Sequence, residues 1–433
     1  MKKSIRHNNH SLCIYIFICG ILLPGMVSAA ESLPPISNIV IIGNDKTGDN
    51  VILRELLFAK GQTPDSALIE RSRLRILSLS LFNRVDIHTV PSENETIIII
   101  EVTERIYFYP NPIFFLTDRD WDKISYGLGL INYNFRGQNE KLMGALWFGY
   151  RPGFGFLYSD SWLGENLHLT SSLGANKYTT NHRTLDFEER HTTGTFKIGK
   201  YWNRYFRTEI AFDYDRIQVH TADAVYLHSK KPTEQLWSIL FYMIYDTRNL
   251  RYFPETGWLT SISFLKNGIF QEFNNYNRTI IDLRRYNRLG PFILAGRFYQ
   301  NYIFGQIPVY RENYIGFSER IRGHFYEVFE GRHIHIGSAE VRFPIIPVKY
   351  FTFDFPGVPD VYQSNLKIGL SGGVFIDSGI IWTEPEAYSI DNYITGFGCS
   401  LFIHLPYVEI FRVDYGFDFD YRGEWILEVG VNF

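Results

Sequence analysis

The last ten residues, EWILEVGVNF, limit what this chain can fold into more than any other stretch. Trp425, Leu427, Val429, Val431 and Phe433 share one face of an extended strand, and Glu424, Ile426, Glu428, Gly430 and Asn432 share the other. Ten residues of period 2 match the length that a tilted strand needs to cross a hydrocarbon layer. In water, a chain-terminal strand with such an apolar row would invite edge-to-edge association. A strand with one face in lipid is the better reading.

Composition agrees. Aromatics make up 17% of the 433 residues, with 29 Tyr and 36 Phe, yet the mean hydropathy is only −0.13. Beyond the N-terminus, no run of about 18 uncharged apolar residues offers a spanning helix. A chain that enters a membrane without such helices must satisfy its backbone in a closed β-barrel. The charge is nearly balanced, 43 basic against 46 acidic residues, which argues against a nucleic-acid surface.

The N-terminus reads as an export signal. Lys2, Lys3 and Arg6 precede an apolar run from Leu12 to Leu23, followed by the small residues Ser28, Ala29 and Ala30. The run is short for a membrane anchor of about 20 residues, so residues 1–30 are expected to be a signal peptide. Ile18 fits poorly before Cys19 as a lipid-attachment signal. Removal of that segment would take Cys13 and Cys19 and leave Cys399 alone, which excludes an intramolecular disulfide.

From Pro110 onward, alternating segments recur. Trp237 to Tyr245 is apolar on both faces. Trp258, Thr260, Ile262 and Phe264 alternate, as do Ile210, Phe212 and Tyr214. RGQNEK at 136–141 and NRLGP at 288–292 are turn chemistry between strands. At roughly 20 residues per strand and connection, region 110–433 has room for about 16 antiparallel strands.

The preceding segment differs. ISNIVIIGN reads as a strand, and DNVILRELLF at 49–58 has helical spacing behind Asp49 as a cap. Gly61 breaks that helix, and Pro64 with Asp65 opens a second one to about Leu77. Strands at Val85–Val90 and Ile97–Val102 follow, giving a β-α-α-β-β order, with Pro110 and Pro112 marking the start of the barrel.

These residues resemble a known family. Residues 36–105, with IVIIGN, the Gly61 break, LFNRVDI and IIIIEVTE, resemble a polypeptide-transport-associated (POTRA) domain. Region 110–433 resembles the BamA-like outer-membrane assembly and translocation barrels, also called bacterial surface antigens. NYNFRGQNE, YDTRNLRYFPETG, GSAEVRFP, GGVFIDSG and ERIRGHFYE bear that resemblance, in the family's order. One departure is that a single POTRA domain is present, where assembly factors usually have several. Ending on Phe433 resembles the C-terminal signal of outer-membrane barrels.

The resemblance implies that the Arg-Gly loop of ERIRGHFYE folds into the lumen, with Arg322 held by Asp377 and with Glu340 and Arg342 on a neighbouring strand. Within GGVFIDSG, Phe375 and Asp377 share a face, and Gly379 belongs to the same wall segment. A guanidinium in an enclosed lumen requires a carboxylate, Gly323 permits a sharp turn, and Phe325 and Tyr326 can pack on the wall. On the residues alone, a solvated external loop stays open as the alternative.

Catalytic patterns are weak. His333 and His335 would share a strand face, but no third metal ligand is identifiable by spacing. Asp414, Asp418 and Asp420 could line a polar lumen wall. There is neither a G-x-S-x-G elbow nor a P-loop, and the chain is read as not an enzyme, with no cofactor. What the resemblance implies is an outer-membrane barrel with its POTRA domain in the periplasm. Unfolded outer-membrane or secreted polypeptides would be its clients, lipid its surroundings and periplasmic accessory proteins further partners. Three classes stay open: an insertion factor that opens between the strand near Ile124–Ile131 and the strand ending at Phe433, a two-partner-type secretion pore, and a structural or channel barrel.

Overall fold

The computed structural model describes residues 34–430 except 64, 93–94, 118–119, 165–166, 183, 271–272, 317, 360–361 and 407–409. The expected signal peptide lies outside the described residues, as do Pro64, Val431 and Phe433.

The N-terminal part forms a three-stranded sheet in the order β1-β3-β2. Its strands are β1 (Ile36–Ile42), β2 (Phe82–Ser92) and β3 (Glu95–Glu104). β1 runs parallel to β3 and β2 antiparallel to it, so β1 and β2 are both edges. Helices α1 (Asp49–Leu53) and α2 (Ser66–Leu77) pack on this sheet. Val51, Ile52, Ile76, Ile98 and Ile100 form the fully buried centre of that core. α2 starts at a true cap: the Asp65 carboxylate accepts from Leu68 N at 2.6 Å.

α1 is shorter than its spacing suggests, and its cap is Gly48 rather than Asp49, the first helical residue. The helix stops at Leu53 because the chain must turn there to bring Leu56 and Phe58 into the same core. Gly61, at φ +83°, lies in the turn that follows.

The remainder is one antiparallel sheet of 16 strands. It runs in chain order from β4 (Phe108–Thr117) and β5 (Asp120–Phe135) to β14 (Phe292–Gly305). It then continues through β17 (His333–Phe351), β18 (Leu366–Trp382), β19 (Ile394–His404), β20 (Phe411–Phe417) and β21 (Gly423–Val429). Outward positions form an apolar surface. On β5 these are Tyr126, Leu128 and Leu130, and on β21 Trp425, Leu427 and Val429 are 64%, 65% and 74% exposed.

The first barrel strand is β4, not the strand at Ile124–Ile131, which is the middle of β5. Pro110 and Pro112, expected to mark the start of the barrel, lie inside β4, which begins two residues before Pro110 at Phe108. Proline is tolerated there because β4 is an edge strand. Among the described residues no ladder joins β4 to β21, so the sheet stays open along one seam.

The small domain sits across one mouth of the barrel. Gly48 N donates to Gly137 O at 3.0 Å, Asn134 Nδ2 to Thr47 Oγ1 at 2.9 Å, and Arg71 Nη2 to the Tyr205 hydroxyl at 2.9 Å. Asn365 Nδ2 donates to Thr103 Oγ1 at 2.9 Å, and Arg54 lies over the Trp162 ring.

Candidate functional site

The connection between β14 and β17 turns back into the barrel. Two short strands, β15 (Asn313–Ile315) and β16 (Phe329–Gly331), pair at its base. At its tip Gly323 adopts φ +100°, a conformation that L side chains rarely enter. The barrel wall leaves a notch for this tip. A Cβ on Gly396 of β19 would lie 1.8 Å from Arg322 O, and one on Gly416 of β20 would lie 2.7 Å from Gly323 N. Gly379 on β18 makes similar room for Ile321, whose Cδ1 would be 3.0 Å from an added Cβ.

Arg322 is 3% exposed. Its Nε donates to Asp377 Oδ2 at 2.7 Å and its Nη2 to Asp377 Oδ1 at 2.9 Å, a bidentate pair. Its Nη1 donates to Glu340 Oε2 at 2.7 Å. The guanidinium also lies 3.6 Å from the ring centroid of Phe375. Strand register explains the convergence: Ser338 faces Asp377 and Glu340 faces Phe375 across β17 and β18, so both carboxylates meet on one inner face. Burial alone would lower the Arg322 pKa, but Asp377 and Glu340 raise it above its ordinary value.

The pairing extends along the wall. Glu340 Oε1 accepts from Arg342 Nε at 2.5 Å. Arg342 in turn lies over the rings of Phe253, Phe402 and Tyr286. Asp414 Oδ2 is 3.9 Å from Arg322 Nη1 and 3.0 Å from Arg412 Nε. Arg412 pairs with Glu428 of β21, and Arg320 of the loop meets Glu428 at 2.8 Å. Glu424, also on β21, accepts from Gly323 N at 2.9 Å and Phe325 N at 2.5 Å. The loop is thus fastened to β17, β18, β20 and the terminal strand at once.

Three comparisons bear on what this arrangement is. The Omp85 superfamily domain matches residues 134–430, and a surface antigen variable number repeat, the POTRA family, matches residues 34–105. The chain belongs to the Omp85 superfamily. A curated relative, the outer membrane protein assembly factor BamA of Nitratidesulfovibrio vulgaris, is 21% identical over 410 residues. That match covers 89% of this chain and 48% of the relative, so the chain spans about half the length of the protein it matches. Among solved structures, BamA from Haemophilus ducreyi lacking POTRA domains 1–3 aligns with a TM-score of 0.53 at 16% identity, covering 92% of this chain and 83% of that one. CdiB from Escherichia coli aligns at 0.54 and 10% identity, covering 92% and 75%. These likenesses concern the fold. Omp85 membership places the barrel in the outer membrane and its POTRA domain in the periplasm.

With that orientation, the POTRA domain covers the periplasmic mouth of the Omp85 barrel. A second element lies just above it. The turn at 247–256 reaches inward, and Phe253 meets the rings of Phe402 at 5.3 Å and His404 at 4.9 Å. A cavity of about 550 Å³ separates this turn from α2.

Other expected positions fall elsewhere. Phe325 lies under Arg320, with the guanidinium 5.0 Å from its ring. Tyr326 is 56% exposed and meets Phe325 edge-on. Of the three acidic residues near the end, only Asp414 faces the lumen network. β20 ends at Phe417, so Asp418 and Asp420 belong to the following turn, where Asp418 Oδ1 accepts from Arg422 N at 2.8 Å. His333 and His335 sit in an aromatic group with Tyr302 and Trp382 rather than in the lumen. Sequence reasoning missed Arg320, Arg412, Glu424 and Glu428 as loop partners. Their signal was present: two acidic residues on the inner face of an otherwise lipid-ready strand need cations.

Proposed function

We propose that the protein inserts outer-membrane polypeptides through the seam between β4 and β21, with the POTRA domain capturing extended clients and the Arg322 loop governing the seam from inside. The observation that supports this most is the fastening of the loop to β21 through Glu424 and Glu428, on a strand whose other edge is unpaired among the described residues. A strand held only by one neighbour and an internal loop is the part of the barrel best able to move. Threading a client through the lumen would require three obstructions to leave: the POTRA cap, the Phe253 turn and the loop. That favours the lateral route over the secretion pore. We assign no enzymatic step, because the carboxylates around Arg322, those of Asp377, Glu340 and Asp414, are engaged by arginines.

Client capture fits the free edge of β2. Arg105 N donates to Leu81 O and Thr96 N to Pro35 O, so odd-numbered residues of β3 face β2 and even-numbered ones face β1. Register then turns Val85, Ile87 and Thr89 outward; the Val85 carbonyl already accepts from Arg73 Nη1 at 3.4 Å, which leaves Ile87 and Thr89 where an extended peptide can add as a strand. Ile87→Pro should weaken crosslinking to unfolded barrel segments, and Thr89→Pro should do the same without loss of core packing. Unchanged crosslinking in both variants would remove β2 from the account. The overall reading is tested by depleting the protein and comparing proteomes. Loss of integral outer-membrane proteins is expected; loss confined to secreted polypeptides would overturn it in favour of the pore.

A further inference from the structure

The seam is asymmetric in backbone chemistry. In an antiparallel ladder, hydrogen-bonded pairs alternate with non-bonded ones. Tyr133 N donates to Tyr107 O at 2.9 Å, and the register continues from Phe108 opposite Asn132 to Leu116 opposite Ile124 without a shift. Odd-numbered residues of β4 therefore aim their N–H and C=O groups at β5, and even-numbered residues aim theirs at the seam. Pro110 and Pro112 are both even. Neither removes a bond from the β4–β5 ladder, and both remove donors from the seam edge.

The opposite edge has no such gap. Gly430 N donates to Ile410 O at 2.7 Å, and Val429 stands opposite Phe411. Trp425, Leu427 and Val429 consequently direct their backbone groups toward the seam, and each has an N–H. If β21 closed onto β4 across Pro110 and Pro112, two successive bonded pairs would each lack one of their two bonds. The carbonyls left on β21 would face hydrocarbon, where no water replaces the partner. Chain direction places this gap in the periplasmic half of the seam. β4 leaves the POTRA domain at Phe108 and runs outward, so Phe114 and Leu116, which keep their N–H groups, lie in the outer half.

We propose that Pro110 and Pro112 act as a zipping stop that keeps the periplasmic half of the seam from closing, on the side where clients arrive. This rests on the seam reading above and adds to it the residues that set how far the seam can close. Both prolines share the lipid-facing side of β4 with Phe108 and Phe114, so apolar replacements suit their surroundings. Restoring the donors should convert a half-bonded edge into a full ladder.

The experiment uses the full chain in lipid nanodiscs, with Pro110→Val/Pro112→Val and, separately, Pro110→Ala/Pro112→Ala. Hydrogen exchange of the Leu427 and Val429 amides is followed together with insertion of an unfolded outer-membrane barrel polypeptide. Both double variants should slow exchange at these amides at least ten-fold and slow insertion. Alanine restores the N–H without favouring strands, so slowing by the valine pair alone would indicate strand propensity and overturn the stop. If the valine pair fails to fold, the alanine pair decides. Unchanged exchange in the folded variants overturns the proposal whatever insertion does. Slower exchange with unaltered insertion supports the stop and overturns the seam as the insertion route.

Discussion

The two strands that border the seam are held in different ways. β21 is fastened from within, by a loop that reaches Glu424 and Glu428 on its inner face. β4 takes no part in the ion network around Arg322. It is tied instead to the POTRA domain just before its first residue, where the Tyr107 hydroxyl lies 2.9 Å from Thr47 Oγ1 and Thr47 accepts from Asn134. One side of the seam thus answers to the lumen and the other to the periplasmic domain. A change in the loop should alter β21 and spare β4, and a change at the POTRA junction should do the reverse.

The largest expected effect comes from closing the glycine notch. Gly396→Ala would set a Cβ 1.8 Å from the Arg322 carbonyl, and neither backbone can yield cheaply. Overpacking alone costs about 1–3 kcal/mol, and because the displaced tip also gives up the buried Arg322 pairs, worth on the order of 3–5 kcal/mol at a dry site, the two losses add. We expect the loop to leave its seat, β21 to lose protection in hydrogen exchange, and insertion to fail while the barrel ladder survives. Retention of loop protection from protease in Gly396→Ala would break the assignment of the notch.

Arg322→Ala and Asp377→Ala should rank next. Breaking a buried pair by removing one partner costs on the order of 3–5 kcal/mol at a dry site and less where water enters. Arg322→Ala takes the cation from Asp377 and one of two arginines from Glu340, which keeps Arg342, so it should be the worse single change. The double variant should be little worse than Arg322→Ala alone, because the two side chains act as one unit. Additive losses in a double-mutant cycle on loop stability would show that they do not.

How much of this was legible beforehand depended on which physical signal each residue bears. The barrel was readable because lipid on one face imposes period 2 on strands such as β21. The meeting of Arg322 with Asp377 and Glu340 was reached through resemblance, since residues far apart in sequence leave no local trace of their contact. The loop's hold on β21 was written in Glu424 and Glu428, but acidic residues on an inner face read equally well as a wetted wall. The start of the barrel was set at Pro110, two residues inside β4, because proline reads as a boundary to any rule based on propensity. Only the parity of the ladder shows that the missing donors of Pro110 and Pro112 fall on the edge where no neighbour asks for them. The notch at Gly396 and Gly416 was also hidden, because glycine in a strand gives no hint of which backbone approaches it.

Glu424→Gln sharpens the comparison at lower cost. The carboxylate accepts from two backbone N–H groups of the loop, and hydrogen bonds to a charged group contribute about 1.5–3 kcal/mol against about 1 for neutral ones. A glutamine keeps one acceptor oxygen, so a loss of about 1–2 kcal/mol in loop anchoring is expected. Hydrogen exchange at Gly323 and Phe325 should quicken, with β4 and the POTRA domain unchanged. Quickening at β4 of equal size would mean that the two seam strands are not separately governed.

Tyr107→Phe should have the smallest effect and the opposite distribution. It removes one hydroxyl from the junction, and Thr47 keeps Asn134 as a partner, so about 1 kcal/mol is expected. Because Tyr107 precedes β4 directly, the loosening should appear at Thr47, Asn134 and the first residues of β4. Arg322, Glu424 and β21 should exchange as before. The POTRA domain has other attachments, among them Arg71 with Tyr205 and Asn365 with Thr103, so the cap should stay in place and insertion should fall by less than in Glu424→Gln. If Tyr107→Phe instead frees the loop, force passes from the periplasmic domain through β4 into the lumen. The seam would then be governed by one linked mechanism rather than by two.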